Sequence, residues 1–236
     1  MTNLIFYISP HFLVKYYLLK DLKTVAKKYS IKGDVIDIGC GSMPYKELFS
    51  DVSKYTGIDF KFYSKNSTFL KNKPDIYFPE SYTKTLDLPL KSNSFDATLS
   101  FQVLEHHKNP EKLIQECIRV TRKGGLIILS FPFIWGLHEE PTDYYRFTEY
   151  AISELAKKYG ARVLEVKRQG SVFSTITSLR NDYLINFSKK SILALLISVI
   201  IYPFFLISSY ACLILDKIFN SRQIFLNYVV VIRVNI

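Results

Sequence analysis

The sequence predicts an α/β fold: a seven-stranded, mostly parallel sheet with helices on both faces and an apolar helical insertion before the last strand. Three observations predict it. Short apolar runs alternate with segments of helical periodicity, the pattern of a doubly wound sheet. The first run ends in Asp37-Ile38-Gly39-Cys40-Gly41, an acid and a glycine turn that lets backbone pass tightly beneath a ligand. A second acid, Asp59, closes the next run, Tyr55-Thr56-Gly57-Ile58-Asp59. An acid about 20 residues beyond such a turn is placed to bind a ribose hydroxyl pair.

The elements follow in order. Phe12, Tyr16, Leu19, Leu22, Val25 and Ala26 recur near helical spacing, so residues 9–30 form a helix. Gly33 breaks it, and Val35 to Ile38 is the first strand. Pro44 to Phe49 opens a helix, and Tyr55 to Phe60 is the second strand. Residues 61–94 are weakly patterned, with Asp75 to Phe78 a short third strand. Phe95 to Phe101 is the fourth. Pro110 to Thr121 is helical, with Leu113, Ile114, Cys117, Ile118 and Val120 on its apolar side, and Gly124-Gly125 ends it. Leu126 to Phe131 and Arg162 to Val166 are the fifth and sixth strands, separated by a helix over Ala151 to Tyr159. Phe225 to Val234 is apolar on both alternating faces, as expected of a last strand buried on both sides.

Composition narrows the class. The 236 residues suit one domain, 1–236, and a hydrophobic share of 48% argues against disorder. The formal charge of +10 suits an anionic partner. Its lysines are scattered (Lys15, Lys20, Lys23, Lys27 and Lys28 among them) and form no nucleic-acid motif, so nucleic acid is not the expected partner. Cys40, Cys117 and Cys212 lie far apart, which fits a reducing, cytoplasmic setting and no zinc. No Asp, Glu or His cluster has metal-ligand spacing, and Leu4 to Ile8 is too short for a signal peptide.

An ordered set of motifs now carries a resemblance. Asp37-Ile38-Gly39-Cys40-Gly41, Asp59, Leu88-Pro89-Leu90, Asn93-Ser94-Phe95-Asp96, Leu104-Glu105-His106, Glu116 with Arg119-Val120, and Lys123-Gly124-Gly125-Leu126 resemble class I S-adenosylmethionine-dependent methyltransferases over residues 30–170. These have a Rossmann-like sheet. A nicotinamide-binding turn would continue G-x-G-x-x-G, where Ser42, Met43 and Pro44 stand instead. The resemblance implies S-adenosylmethionine as cofactor. Asp37, Gly39, Cys40 and Gly41 would hold its methionine end, with Ser100 and Gln102 approaching it. Asp59 would bind the ribose, and Asp87 is a candidate for adenine. Met43, where relatives often have glycine, narrows the expected pocket. His106 and His107 are expected to line the pocket or serve structurally.

A second element, Pro132-Phe133 and then His138-Glu139-Glu140-Pro141-Thr142-Asp143-Tyr144-Tyr145-Arg146-Phe147-Thr148, looks like a subgroup of cell-surface polysaccharide and lipid-linked glycan pathways. Asp143, Tyr144 and Arg146 would then face the acceptor, and His138 could take the proton of a sugar hydroxyl. The structural alternative is an Asp143 or Arg146 ion pair pinning the loop, with Thr148 capping the next helix.

Residues 191–215 carry no charge, between Lys189-Lys190 and Asp216-Lys217. The run is long enough to cross a bilayer, but a last strand in the same sheet puts both of its ends on one side. Pro203 divides it, so residues 189–221 are expected to form a helical hairpin in one leaflet or at the membrane surface. Lys189, Lys190, Lys217 and Arg222 would lie at the headgroups, on the cytoplasmic face. A helix pair packed on protein is the alternative. The function expected is methyl transfer to a hydroxyl of a saccharide or lipid-linked acceptor. The alternatives are a quinone or small-aromatic methyltransferase, and a non-catalytic cofactor-binding assembly protein.

Overall fold

The computed structural model describes residues 4–61, 73–219 and 223–235. The chain divides into two compact units. The sheet unit comprises 22–132, 137–167 and 228–236, and the helical unit 1–21, 133–136 and 168–227.

Strands β1 (Asp34–Ile38), β2 (Lys54–Asp59), β3 (Ile76–Tyr77), β4 (Phe95–Phe101), β5 (Thr121–Pro132), β6 (Ala161–Gln169) and β7 (Asn227–Val234) form one seven-stranded sheet, ordered β3-β2-β1-β4-β5-β7-β6. β1 runs parallel to β2, pairing Asp37 with Gly57, and parallel to β4, pairing Val35 with Ala97. β2–β3 and β4–β5 are parallel as well. The Leu226 amide donates to the Gln169 carbonyl and the Asn235 amide to the Gly160 carbonyl, so β7 runs antiparallel to β6. Between β5 and β6, β7 is covered on both faces, as its unbroken apolar pattern requires.

Helices α1 (Leu4–Tyr7), α2 (Phe12–Tyr29), α3 (Tyr82–Thr85), α4 (Pro110–Val120) and α5 (Glu149–Lys158) precede the pair α6 (Val172–Ser188) and α7 (Ile192–Ile218). Pro110 starts α4, and the Asn109 side chain accepts from the Lys112 amide at 3.0 Å. Leu113, Ile114 and Cys117 are buried on its inner face. Thr148 caps α5 through the Ala151 amide, as expected. Gly124-Gly125 does not end α4. Both glycines lie in β5, where a Cβ on Gly125 would stand 2.8 Å from the Asp96 carbonyl oxygen of β4. The helix expected from Pro44 is a single 3-10 turn, Lys46–Phe49.

The Leu-Pro-Leu segment is fixed by α4. Glu116 accepts from the Leu88 amide at 2.8 Å and from Arg119, whose guanidinium donates to the carbonyls of Leu88 and Leu90. A buried carboxylate and a guanidinium thus close the backbone groups of a loop that has no ladder of its own.

In the helical unit, Ser171 and Ser174 form a capping box at the start of α6. Contacts of α6 with α7 descend in register: Ser171 with Asp216, Thr177 with Cys212, Asn181 with Ser209. The pair is therefore antiparallel. This corrects the expected hairpin over 189–221. Residues 191–215 do not fold back on themselves at Pro203. They belong to one helix, and the partner helix is α6. Proline removes one helical hydrogen bond, but α7 is held on both sides of it. Ala194 and Ser198 are buried before Pro203, and Arg180 reaches Ser208 beyond it. The hydroxyls of Tyr202 and Tyr210 donate to the carbonyls of Ile8 and Tyr7. Arg222 and the end of the expected insertion lie outside the described residues.

Candidate active site

The C-terminal ends of β1, β2 and β4 open onto a cavity of about 450 Å³ in the sheet unit. Ile38, Gly39, Gly41, Asp59, Phe60, Gln102, Val103, His106, Glu139 and Tyr144 are among its walls. This is where a doubly wound sheet binds ligands.

The glycine turn is shaped by its backbone. Gly39 has φ +72°, and the amides of Gly39 and Cys40 donate to the Ile58 carbonyl. A Cβ on Gly39 would stand 2.4 Å from Val103. Gly39→Ala is therefore expected to cost about 2–3 kcal/mol from left-handed strain and overlap, read as a lower Tm in thermal melts. Gly41, at φ +50°, would meet nothing within 4 Å, so its α-carbon faces open space.

Asp59 is buried at the lip of this turn. One carboxylate oxygen accepts from the Gly41 amide and the other from the Phe60 amide, both at 2.6 Å. Burial pushes its pKa up, and these two amides oppose that. Beside it stands an aromatic wall. The Phe78 and Tyr82 rings stack at 4.2 Å, and Phe60 lies 4.7 Å from Phe78. An open glycine cradle, a fixed carboxylate and a flat apolar wall fit a nucleoside with a charged chain, the shape of S-adenosylmethionine.

Other expected cofactor residues sit elsewhere. Asp37 is buried and accepts from the Tyr55 hydroxyl at 2.6 Å, with burial pushing its pKa up to about 7. It is not among the cavity walls and supports the turn from beneath. Cys40 and Met43 are buried against Gly57, where a Cβ would lie 2.6 and 2.8 Å from their sulfurs. Met43 therefore packs on β2 instead of narrowing the cavity, and burial raises the Cys40 thiol pKa. Ser100 donates to the Ile38 carbonyl at 3.0 Å, tying β4 to β1. Asp87 is exposed and pairs with Lys112 at 2.7 Å, away from the cavity lining, because α4 presents that lysine to it. Gln102 does line the cavity, at φ +56°, with its amide on Ser130.

The acceptor-side residues divide likewise. Arg146 binds both oxygens of Asp143, at 2.6 and 2.8 Å, and holds that carboxyl down at about 2. Asp143 also takes the His138 backbone amide and faces its Nδ1 at 3.1 Å. Asp143 and Arg146 thus pin the loop and orient His138, while Tyr144 reaches the cavity. His138 packs edge-on against His106, ring centroids 4.8 Å apart, and His106 lines the cavity. His106 pairs its Nδ1 with the Thr142 carbonyl at 3.0 Å, which leaves Nε2 as its proton acceptor. His107 is bonded to Tyr82 and Asn109.

Glu105 was legible only as part of a motif, and its environment was not. Its side chain is fully buried, neither carboxylate oxygen has a hydrogen-bond partner, and burial pushes its pKa up to about 8. Glu105, His106 and His138 bring ligand atoms within 4.8 Å of one another, a grouping able to hold a cation that no spacing in the sequence reveals. The neutral Glu105 carboxyl at pH 7 is a poor ligand in that set.

Comparison with known proteins agrees with this geometry. Residues 36–129 match a methyltransferase domain family. An uncharacterised methyltransferase of Mycobacteroides abscessus is 30% identical over 155 residues, 61% of this chain and 58% of that protein. A probable S-adenosylmethionine-dependent methyltransferase of Mycolicibacterium smegmatis is 31% identical over 101 residues, 42% of this chain and 38% of that protein. The chain thus spans less than two-thirds of these relatives. A putative sarcosine dimethylglycine methyltransferase from Galdieria sulphuraria shares the fold, with TM-score 0.57 and 15% identity over 92% of this chain and 84% of that one. Residues 36–129 thus match a methyltransferase domain, and the seven-stranded sheet that contains them has the fold of that solved structure.

Proposed function

We propose that this chain transfers a methyl group to a hydroxyl of a saccharide or lipid-linked acceptor, with the hydroxyl proton passing to Nε2 of His106, against which His138 packs. The observation that carries this reading is the His106 imidazole at the cavity wall, packed against His138, which an ionised Asp143 backs. S-adenosylmethionine, when bound, supplies a methyl already activated on a sulfonium. The protein then has to align the acceptor, exclude water and remove one proton. An alkyl hydroxyl is a weak nucleophile and needs a base at hand. His106 presents Nε2 at the cavity wall, and Asp143 holds the His138 ring behind it through Nδ1. An amine or phenolate acceptor would need no such arrangement. The aliphatic exterior of α7 supports an acceptor carried on a lipid.

His106→Ala and His138→Ala are each expected to lower kcat about a hundredfold while leaving cofactor affinity within about twofold. Transfer of radiolabelled methyl to polyprenyl-linked and free saccharides, with calorimetric cofactor titration, reads both. Undiminished kcat in both variants refutes the hydroxyl-directed reading. A loss confined to cofactor affinity does the same.

A further inference from the structure

Helices α6 and α7 are built in reverse of a soluble pair. Their shared seam is small and polar: Ser174, Ser178 and Asn181 of α6 and Ala194, Ser198, Ser209 and Cys212 of α7 are buried. Thr177 meets Cys212 at 3.1 Å, and Asn181 donates to Ser209 at 3.0 Å. The large aliphatic and aromatic side chains point away from the seam. Ile192 is 79% exposed, Ile200 70%, Phe204 69% and Ile207 68%. Helices in water put their apolar stripe inside. Helices against lipid put small and hydrogen-bonding residues in the seam and aliphatic residues outside.

Charge marks the same boundary. Lys189 and Lys190 are exposed before α7 and Lys217 at its end, while residues 191–215 carry no charge. Asp216, the acid at the C-terminal end, is turned inward onto Tyr17 and Ser171. The 27 residues of α7 extend about 40 Å, with cations at both extremities. α6 carries Arg180, Asp182 and Asn186 among its exposed Ile176 and Tyr183, so the uninterrupted apolar exterior belongs to α7. Arg180 lies over the Phe205 ring at 3.8 Å and donates to Ser208, which closes the polar side onto the seam.

We infer that the outer face of α7 is a membrane-docking surface that lies in one leaflet of an anionic bilayer with its lysine ends at the headgroups. The aliphatic side chains enter the acyl region, and Lys189, Lys190 and Lys217 meet lipid phosphates. A second copy of the chain is the competing occupant. It would set an uncharged face against an identical one and gain nothing from the cationic ends. The inference does not rest on the acceptor chemistry proposed above, and its test involves no methyl transfer.

The test is flotation of the full chain with vesicles of phosphatidylcholine alone or with about one-third phosphatidylglycerol, with light scattering of the free protein. Binding is expected to be about tenfold stronger to the anionic vesicles and to weaken in high salt. Phe204→Glu with Ile207→Glu is expected to reduce it at least about tenfold at unchanged Tm. Lys189→Glu with Lys190→Glu should remove the anionic preference while retaining the fold. Since the native cysteines are buried, a spin label on Ile200→Cys reports depth directly, and relaxation by oxygen should exceed relaxation by aqueous nickel. Failure to float, a stable dimer that excludes vesicles, a water-exposed label, or binding indifferent to both double substitutions overturns the inference.

Discussion

Asp59→Ala is expected to weaken S-adenosylmethionine binding about a thousandfold, near 4 kcal/mol, in calorimetric titration of folded protein. A carboxylate that accepts from both hydroxyls of a ribose makes two charge-assisted hydrogen bonds, each worth about 1.5–3 kcal/mol. Asp59 is prepared for them, since the Gly41 and Phe60 amides fix one oxygen each. Little orienting entropy remains to be lost when ligand arrives. Alanine also strips those two amides of their acceptor at a buried site, so a lower Tm should accompany the loss. Asp59→Asn separates the effects. Its amide restores one acceptor and sets a donor against the other backbone N–H, so stability recovers in part and affinity does not. NAD serves as the control and should not bind either form. Unchanged affinity in a folded Asp59→Ala protein refutes the ribose assignment while leaving the fold intact.

What could be read from sequence was local. The acid-glycine turn at Asp37 to Gly41 and the acid at Asp59 are set by strand ends and φ preferences, which a short window contains. The buried β7 was legible because both of its alternating faces are apolar. The pairings across the chain were not. Asp87 looked like an adenine ligand until α4 brought Lys112 to it, and Asp37 looked like a cavity wall until Tyr55 took its carboxylate. Nothing in the residues between His106 and His138 indicates that their rings touch. In sequence, Pro203 divides the uncharged run into two short halves. The seam to α6 and the tyrosine hydrogen bonds to residues 7 and 8 keep the helix continuous, and neither is visible within the run itself.

Glu105→Gln, at a buried position beside the cavity-lining His106, is expected to change the pH dependence of stability strongly. Burial holds the Glu105 pKa at about 8, above its ordinary 4.5, with the Arg146 charge opposing that rise. The sign follows from proton counting. Below pH 4.5 the carboxyl is protonated in both the folded and the unfolded chain and imposes no penalty. Above 4.5 the unfolded chain releases the proton and the folded one keeps it, so stability falls as pH rises, until the folded group ionises near 8. Each pH unit inside that window costs up to about 1.4 kcal/mol. Asp37 acts with the same sign, between 3.8 and about 7. Glutamine keeps the shape, stays neutral and removes the Glu105 share alone. The variant should match the parent near pH 4.5 and exceed it by about 4 kcal/mol at pH 8 in urea unfolding. Parallel curves for variant and parent would mean that Glu105 is already ionised at neutral pH. The buried carboxylate would then stand as an anion beside His106 and His138. The neutral Glu105 expected here places no negative charge beside His106 and His138.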